Sequence, residues 1–180
     1  MMNDNLTPYI KKCKMGDRDA FRQIVAKYRQ MVYTLSFRLL CNEEDAEDAT
    51  QESFIKAWES IKRYDESFKF STWLYKITAN TCYDRLRRRK REKFVEIGGF
   101  ELHDSSNIEE AIENRELGLL ISKLTNGLSA KQRIVFILSD IEGLESAEIG
   151  EITGLSSGII KSNLHLARKQ IRKREEGYEN

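Results

Sequence analysis

The chain has one proline, Pro8, and ten glycines in 180 residues. A sequence so poor in breakers, and rich in Leu, Ile, Lys, Glu and Arg, favours helix throughout. Cysteine is scarce as well. Cys13, Cys41 and Cys82 are odd in number and widely spaced, no CxxC pair exists, and His103 and His165 stand alone. That pattern argues against a disulfide framework and against a metal centre, and each cysteine is expected to be a small buried apolar residue. No apolar run approaches the ~20 residues that cross a bilayer. The N-terminus is polar and charged, unlike a signal peptide. The expectation is a soluble, cytoplasmic protein with no membrane insertion. Glycine-rich phosphate loops, carboxylate or histidine clusters and Cys/His pairs are all missing, so no catalytic residue, metal ligand or cofactor is expected and the chain is not read as an enzyme.

Charge is present in quantity but not in excess. Charged residues make up 33% of the chain and the net charge is +1, so the global balance points to no nucleic-acid partner. Its distribution does. Residues 43–52 hold six acids and no base, whereas residues 85–93 hold seven bases and one acid. Such polarisation implies two surfaces with different partners.

Hydrophobic periodicity sets the organisation. Phe21, Val25, Tyr28, Val32, Leu35 and Leu39 alternate spacings of four and three, which predicts one buried stripe on a helix over 17–40, with Asp17 as its cap. Asn42 opens a second helix whose acidic first turn suits a helix N-terminus. Its stripe is Ala46, Ala49, Ser53, Phe54, Ala57, Trp58 and Ile61. A loop at about 62–69 precedes a third helix from about Ser71 to Lys90. Residues 94–108 show no period and contain Gly98-Gly99, so they are read as a linker. Helices over 109–126 and 129–141 follow, the second opened by Ser129 and ended by Gly143. The last forty residues carry a helix-turn-helix pattern: Ser146 as cap of a short helix, Gly154 as the turn, Ser156 or Ser157 as the next cap, and a final helix that buries Ile160, Leu164, Ala167 and Ile171. Its other side shows Lys161, Ser162, Asn163, His165, Arg168 and Lys169, a polar and cationic face suited to a major groove. The fold class expected is all-α, with an N-terminal helical bundle and a C-terminal helix-turn-helix domain joined by a flexible linker.

Several stretches make the pattern specific. Asp45-Ala46-Glu47-Asp48-Ala49-Thr50-Gln51-Glu52-Ser53-Phe54 is an acidic helix leading into Q-E-x-F. Phe70-Ser71-Thr72-Trp73-Leu74-Tyr75-Lys76-Ile77-Thr78-Ala79-Asn80 follows F-x-T-W-L-Y-x-I-A-x-N. Leu128-Ser129-Ala130-Lys131-Gln132-Arg133 follows L-P-x-x-x-R, and Glu148-Ile149-Gly150-Glu151-Ile152 follows E-I-A-E-I. In order and separation these resemble the two-domain extracytoplasmic-function RNA polymerase sigma factors, over about residues 7–93 and 110–174.

The resemblance implies a division of labour. Residues 1–93 would form the region 2 domain, 94–110 the linker and 111–180 the region 4 domain. Asp45, Glu47, Asp48, Gln51 and Glu52 would dock on the clamp helices of the largest subunit of core RNA polymerase, with the C-terminal helices on its flap. Lys62, Arg63, Tyr64, Lys69, Ser71 and Asn80 would take the melted −10 element of promoter DNA, and Arg87, Arg88 and Arg91 the phosphates beside it. Ser157, Lys161, Ser162, Asn163, His165, Arg168 and Lys169 would meet the −35 element. An anti-sigma factor would be a further partner. The alternative weighed against this is a helix-turn-helix regulator that binds operator DNA without polymerase docking. One departure stands out. Where the family commonly has G-T-V-K-S-R-L-x-R-A-R, this chain has Gly158-Ile159-Ile160-Lys161-Ser162-Asn163-Leu164-His165-Leu166-Ala167-Arg168, with two cations lost and Thr replaced by Ile159.

Overall fold

A computed structural model describes residues 6–92 and 108–178, with side chains left aside at 90–92, 108–115, 117 and 175–178. Among the described residues every regular element is helical: α1 Thr7–Lys14, α2 Arg18–Leu40, α3 Glu43–Ser60, α4 Phe70–Glu92, α5 Ile108–Thr125, α6 Ala130–Phe136, α7 Ser146–Thr153 and α8 Ser157–Tyr178. A short 3-10 turn, Ile61–Arg63, follows α3, and a wider π turn, Ile137–Ile141, extends α6. The linker drawn at 94–110 lies almost wholly outside the described residues, as does His103.

The helix starts follow from local chemistry. The Asp17 carboxylate accepts from the Asp19 and Ala20 amides at 2.9 and 3.0 Å, and the Asn42 side chain accepts from Asp45 N at 2.8 Å. Ser129 and Gln132 form a reciprocal capping box, which satisfies two amides that have no helical acceptor. The cap of α7 is one residue earlier than expected. Its N-cap is Glu145, whose amide donates to the Glu148 carboxylate at 3.1 Å, and Ser146 is already helical. Helix α1 was not foreseen; Pro8 sits in its first turn, where a missing N–H costs nothing.

In the first half, Ile24, Tyr28, Val32, Phe54, Ala57, Ile61, Phe70 and Leu74 make one apolar core. A second core is shared between the halves. Leu35, Leu39, Leu40 and Cys82 from α2–α4 join Ile121, Ile134, Val135, Leu138, Ile149, Ile160 and Ala167 from α5–α8. Each large aliphatic side chain so buried contributes about 1.5–3 kcal/mol. All three cysteines are buried and free, as expected. Polar groups complete the seam. Glu142 takes Arg38 Nη1 at 2.5 Å and the Tyr75 hydroxyl at 2.9 Å, and Arg133 donates to the Leu39 carbonyl at 3.3 Å. Burial first, then the neighbouring Glu142 carboxylate, pushes the Tyr75 hydroxyl well above the usual phenol range. On α5, Gly118 faces the Phe37 ring so closely that a Cβ there would fall 2.5 Å from its edge.

Candidate polymerase and nucleic-acid interfaces

The acidic helix and the basic run turn out to face each other. Along α3, Asp45, Asp48 and Glu52 recur at three and four residues and so share a face. On α4, Arg85 and Arg89 are four apart and share another. Arg85 donates to the Glu52 carboxylate at 2.9 and 3.2 Å and lies 3.7 and 3.6 Å from Asp45 and Asp48. Arg89 pairs with Asp45 and reaches the Leu40 carbonyl at 3.4 Å. Lys56 adds a second cation to Glu52 at 2.8 Å. Burial works against the Glu52 carboxylate, but the hydrogen bonds from Lys56 and Arg85 outweigh it and hold its carboxyl below the usual range. Of the five residues assigned to polymerase docking, Asp45 and Glu52 are thus engaged within the chain. Asp48 is more open, Gln51 is exposed, and Glu47 pairs only loosely with Arg29 at 3.3 Å.

The basic run is divided by the same geometry. Arg85 and Arg89 turn toward α3, while Arg87 and Arg88 are exposed. The Arg91 side chain lies outside the described residues.

The loop before α4 carries the other −10 candidates. Lys62, Arg63, Lys69 and Asn80 are exposed and Ser71 is half-buried. Tyr64 is placed differently. Its ring is 6% exposed, packs on Phe70 and Trp73, and its hydroxyl donates to the Phe68 carbonyl at 2.5 Å. It pins the loop and offers no open face. The loop aromatic in solvent is Phe68, 54% exposed, which is absent from the residues the sequence assigns to the −10 element. Phe68, Arg63, Asp65, Thr72, Trp73 and Lys76 line a cleft of about 320 Å³, and Glu151 of α7 closes it from the other half. Thr72 and Lys76 were also missed, although their spacing puts them on one turn of α4.

The C-terminal helix-turn-helix is built as the pattern required. Gly154, at φ 72°, turns the chain between α7 and α8, a left-handed conformation in which a side chain is strained. At Gly150 a Cβ would sit 3.3 Å from the Leu155 carbonyl, so glycine eases this tight turn. Ser157, Lys161, Ser162, His165, Arg168 and Lys169 are exposed along α8. Asn163 is half-buried and its amide donates to the Ile159 carbonyl at 2.8 Å. Arg168 is held by Asp140 in a two-pronged pair at 2.7 and 2.9 Å. Among the described residues no cluster of side chains could hold a metal ion, and no helix is long and apolar enough to cross a membrane.

Comparison with known proteins agrees with this layout. Residues 24–92 match the family model described as Sigma-70 region 2, and residues 118–171 match Sigma-70, region 4. The chain is 38% identical to the ECF RNA polymerase sigma factor SigW of Bacillus subtilis, over 91% of this chain and 93% of that protein. It is 35% identical to the ECF RNA polymerase sigma factor SigE of Mycolicibacterium smegmatis, over 87% and 63%. The solved structure of CnrH in complex with the cytosolic domain of CnrY superposes with a TM-score of 0.66 at 21% identity, covering 97% of this chain and 99% of that one. The sigma factor RpoE in complex with the anti-sigma factor NepR from Bartonella quintana gives 0.62 at 25% identity, covering 85% and 94%.

Proposed function

This chain belongs to the extracytoplasmic-function RNA polymerase sigma factors, and from that premise we propose which of its surfaces does what. The family directs core polymerase to chosen promoters, and an operator-binding regulator without polymerase docking is not favoured. The chain works as a non-enzymatic initiation factor in the cytoplasm, with region 2 in residues 1–93, a linker at 94–110 and region 4 from 111.

The observation that carries the reading is the division of charge between α3 and α4. Arg85 and Arg89 clamp α4 to α3, which leaves Glu47, Asp48 and Gln51 as the open part of an acidic face for the basic clamp helices of polymerase. Arg87 and Arg88 stay exposed and meet phosphates of the duplex upstream of the melted segment. The cleft beside the 62–69 loop takes a flipped base of the −10 element. Phe68 is its stacking surface, Lys62, Arg63, Lys69 and Lys76 neutralise backbone charge, and Ser71 and Asn80 supply polar contacts. Region 4 meets the flap through its core helices and the −35 duplex through Ser157, Lys161, Ser162, Asn163, His165, Arg168 and Lys169 on α8. Both solved relatives were captured with a protein partner, one named an anti-sigma factor, and an anti-sigma factor is proposed here too.

The test is run-off transcription with sigma-free core polymerase on genomic fragments. Discrete transcripts that depend on this protein, with shared upstream elements at two positions, are expected. Absence of both transcripts and co-elution with core would overturn the reading.

A further inference from the structure

Helix α8 carries three rows along its length. Ile160, Ala167 and Ile171 are buried against the domain. One residue after the first two, Lys161 and Arg168 form a cationic row. One residue before them, Ile159 and Leu166 form an apolar row, each side chain 43% exposed. A step of one residue turns about 100° around a helix and seven residues make about two turns, so the rows flank the outer face where Ser162, His165 and Lys169 stand exposed. Two large aliphatic groups therefore rim the part of the reader that enters DNA.

Such groups are poor neighbours for phosphate. Pressing an aliphatic side chain on a phosphate strips water from the charge and returns no hydrogen bond. The major groove offers one apolar group, the C5 methyl of thymine, whereas an arginine there would favour guanine through its O6 and N7. Leu166 occupies a position that is arginine in the common pattern of these proteins, so its chemistry moves recognition away from guanine.

We propose that Ile159 and Leu166 are specificity-determining residues that read thymine methyl groups in the −35 duplex. This rests on the assignment of α8 as the −35 reader. Lys161 of the cationic row, with Lys169 beside it, holds the helix on the backbone, and the apolar row decides which base pairs it tolerates.

The experiment uses the full chain with core polymerase and a promoter mapped by run-off transcription. Each −35 thymine, on either strand, is replaced in turn by deoxyuridine, which lacks only the methyl group. Holoenzyme affinity is then measured. At one or two positions deoxyuridine should weaken binding about threefold to fourfold, the size expected for one buried methyl. With Ile159→Ser and Leu166→Arg that loss should vanish at the matching position, and the salt dependence should steepen only for Leu166→Arg. Both sites are exposed, so the variants should fold, as circular dichroism would verify. Scrambling the whole −35 element separates the two layers. If scrambling has no effect, the −35 assignment fails and this inference with it. If scrambling weakens binding but no deoxyuridine does, the assignment stands and the inference is wrong, including the case in which the apolar row docks a protein. A −35 element with no A·T pair would also overturn it.

Discussion

Tyr64 and Phe68 lie on one loop, joined by the hydrogen bond from the Tyr64 hydroxyl to the Phe68 carbonyl. One ring is sealed under Phe70 and Trp73 while the other stands in solvent. Stacking on a base is worth about 1–3 kcal/mol by alanine substitution, so Phe68→Ala should weaken holoenzyme binding to a forked −10 probe about fivefold or more. Tyr64→Phe loses one hydrogen bond, should lower stability by about 1 kcal/mol, and should leave probe binding nearly unchanged. Fluorescence anisotropy beside urea melts would separate the two, and a larger binding loss for Tyr64→Phe would reverse the assignment. The thiols make a second residue-scale case. Burial pushes the Cys82 thiol up to about 12, and pushes Cys41 up against the pull of Arg133 and Arg89. An unfolded thiol gives up its proton near its ordinary value of 9.0, so above that pH unfolding releases protons that the folded chain retains. This contribution is whole below about pH 9 and falls as pH rises toward 12, at up to about 1.4 kcal/mol per pH unit for each such group. Urea midpoints should therefore drop between about pH 9 and 11, and less steeply in Cys82→Ala compared with its own neutral-pH value. Identical slopes for the two proteins would show that Cys82 does not set the decline.

At the scale of elements, what a single helix shows in its own sequence was legible. Asp17, Asn42 and Ser129 cap where local chemistry demands, because a cap and the amide that donates to it lie within three residues of each other. What two helices do together was harder to see. Asp45, Asp48 and Glu52 on one face of α3, and Arg85 and Arg89 on one face of α4, each carry a helical spacing that announces a pair, yet the two sets are some forty residues apart and were assigned to different partners. The Arg168–Asp140 pair is similar. In sequence Arg168 looks like a free cation, but the Asp140 carboxylate of the π turn accepts from its Nε and Nη2 along one edge of the guanidinium and raises its affinity for its proton. A neutral Asp140→Asn should release that charge to phosphate. Holoenzyme binding to a −35 duplex should tighten, and the slope of log K against log salt should grow by roughly 0.9, the value of one more phosphate contact. An unchanged slope would mean that Arg168 serves only to hold α8 on the π turn.

At the scale of the whole molecule, the seam between halves was invisible in sequence. Arg38 and Glu142 are 104 residues apart, and nothing in the local pattern of either names the other. Gly118 gave no warning either: helix propensity would prefer alanine by about 1 kcal/mol, but the Phe37 ring leaves no room for a Cβ. The seam matters because it lies beside the cleft proposed to take the −10 strand. Glu151 of α7 sits in the cleft with Arg63, Phe68, Trp73 and Lys76, placing a carboxylate where the −10 strand would bring its phosphates. In the packed arrangement the two acids differ in place: Glu142 fastens the seam through Arg38 and Tyr75, whereas Glu151 lines the cleft proposed for the −10 strand. Arg38 is an imperfect fit, with its Nε buried and lacking a partner among the described residues, and removing Glu142 would leave the whole guanidinium uncompensated. An uncompensated buried charge is costly, about 3–5 kcal/mol when fully enclosed, and less here because the Arg38 side chain keeps 24% exposure. The cheapest escape is for the halves to part and let Arg38 reach water. Glu142→Ala should therefore increase the radius of gyration of the free chain in X-ray scattering and strengthen its binding to single-stranded −10 DNA. Glu151→Gln should strengthen that binding without changing the radius, since it removes the charge over the cleft but leaves the seam fastened. If Glu142→Ala keeps the radius of the parent chain, the shared apolar core alone holds the halves together and Glu142 is no latch.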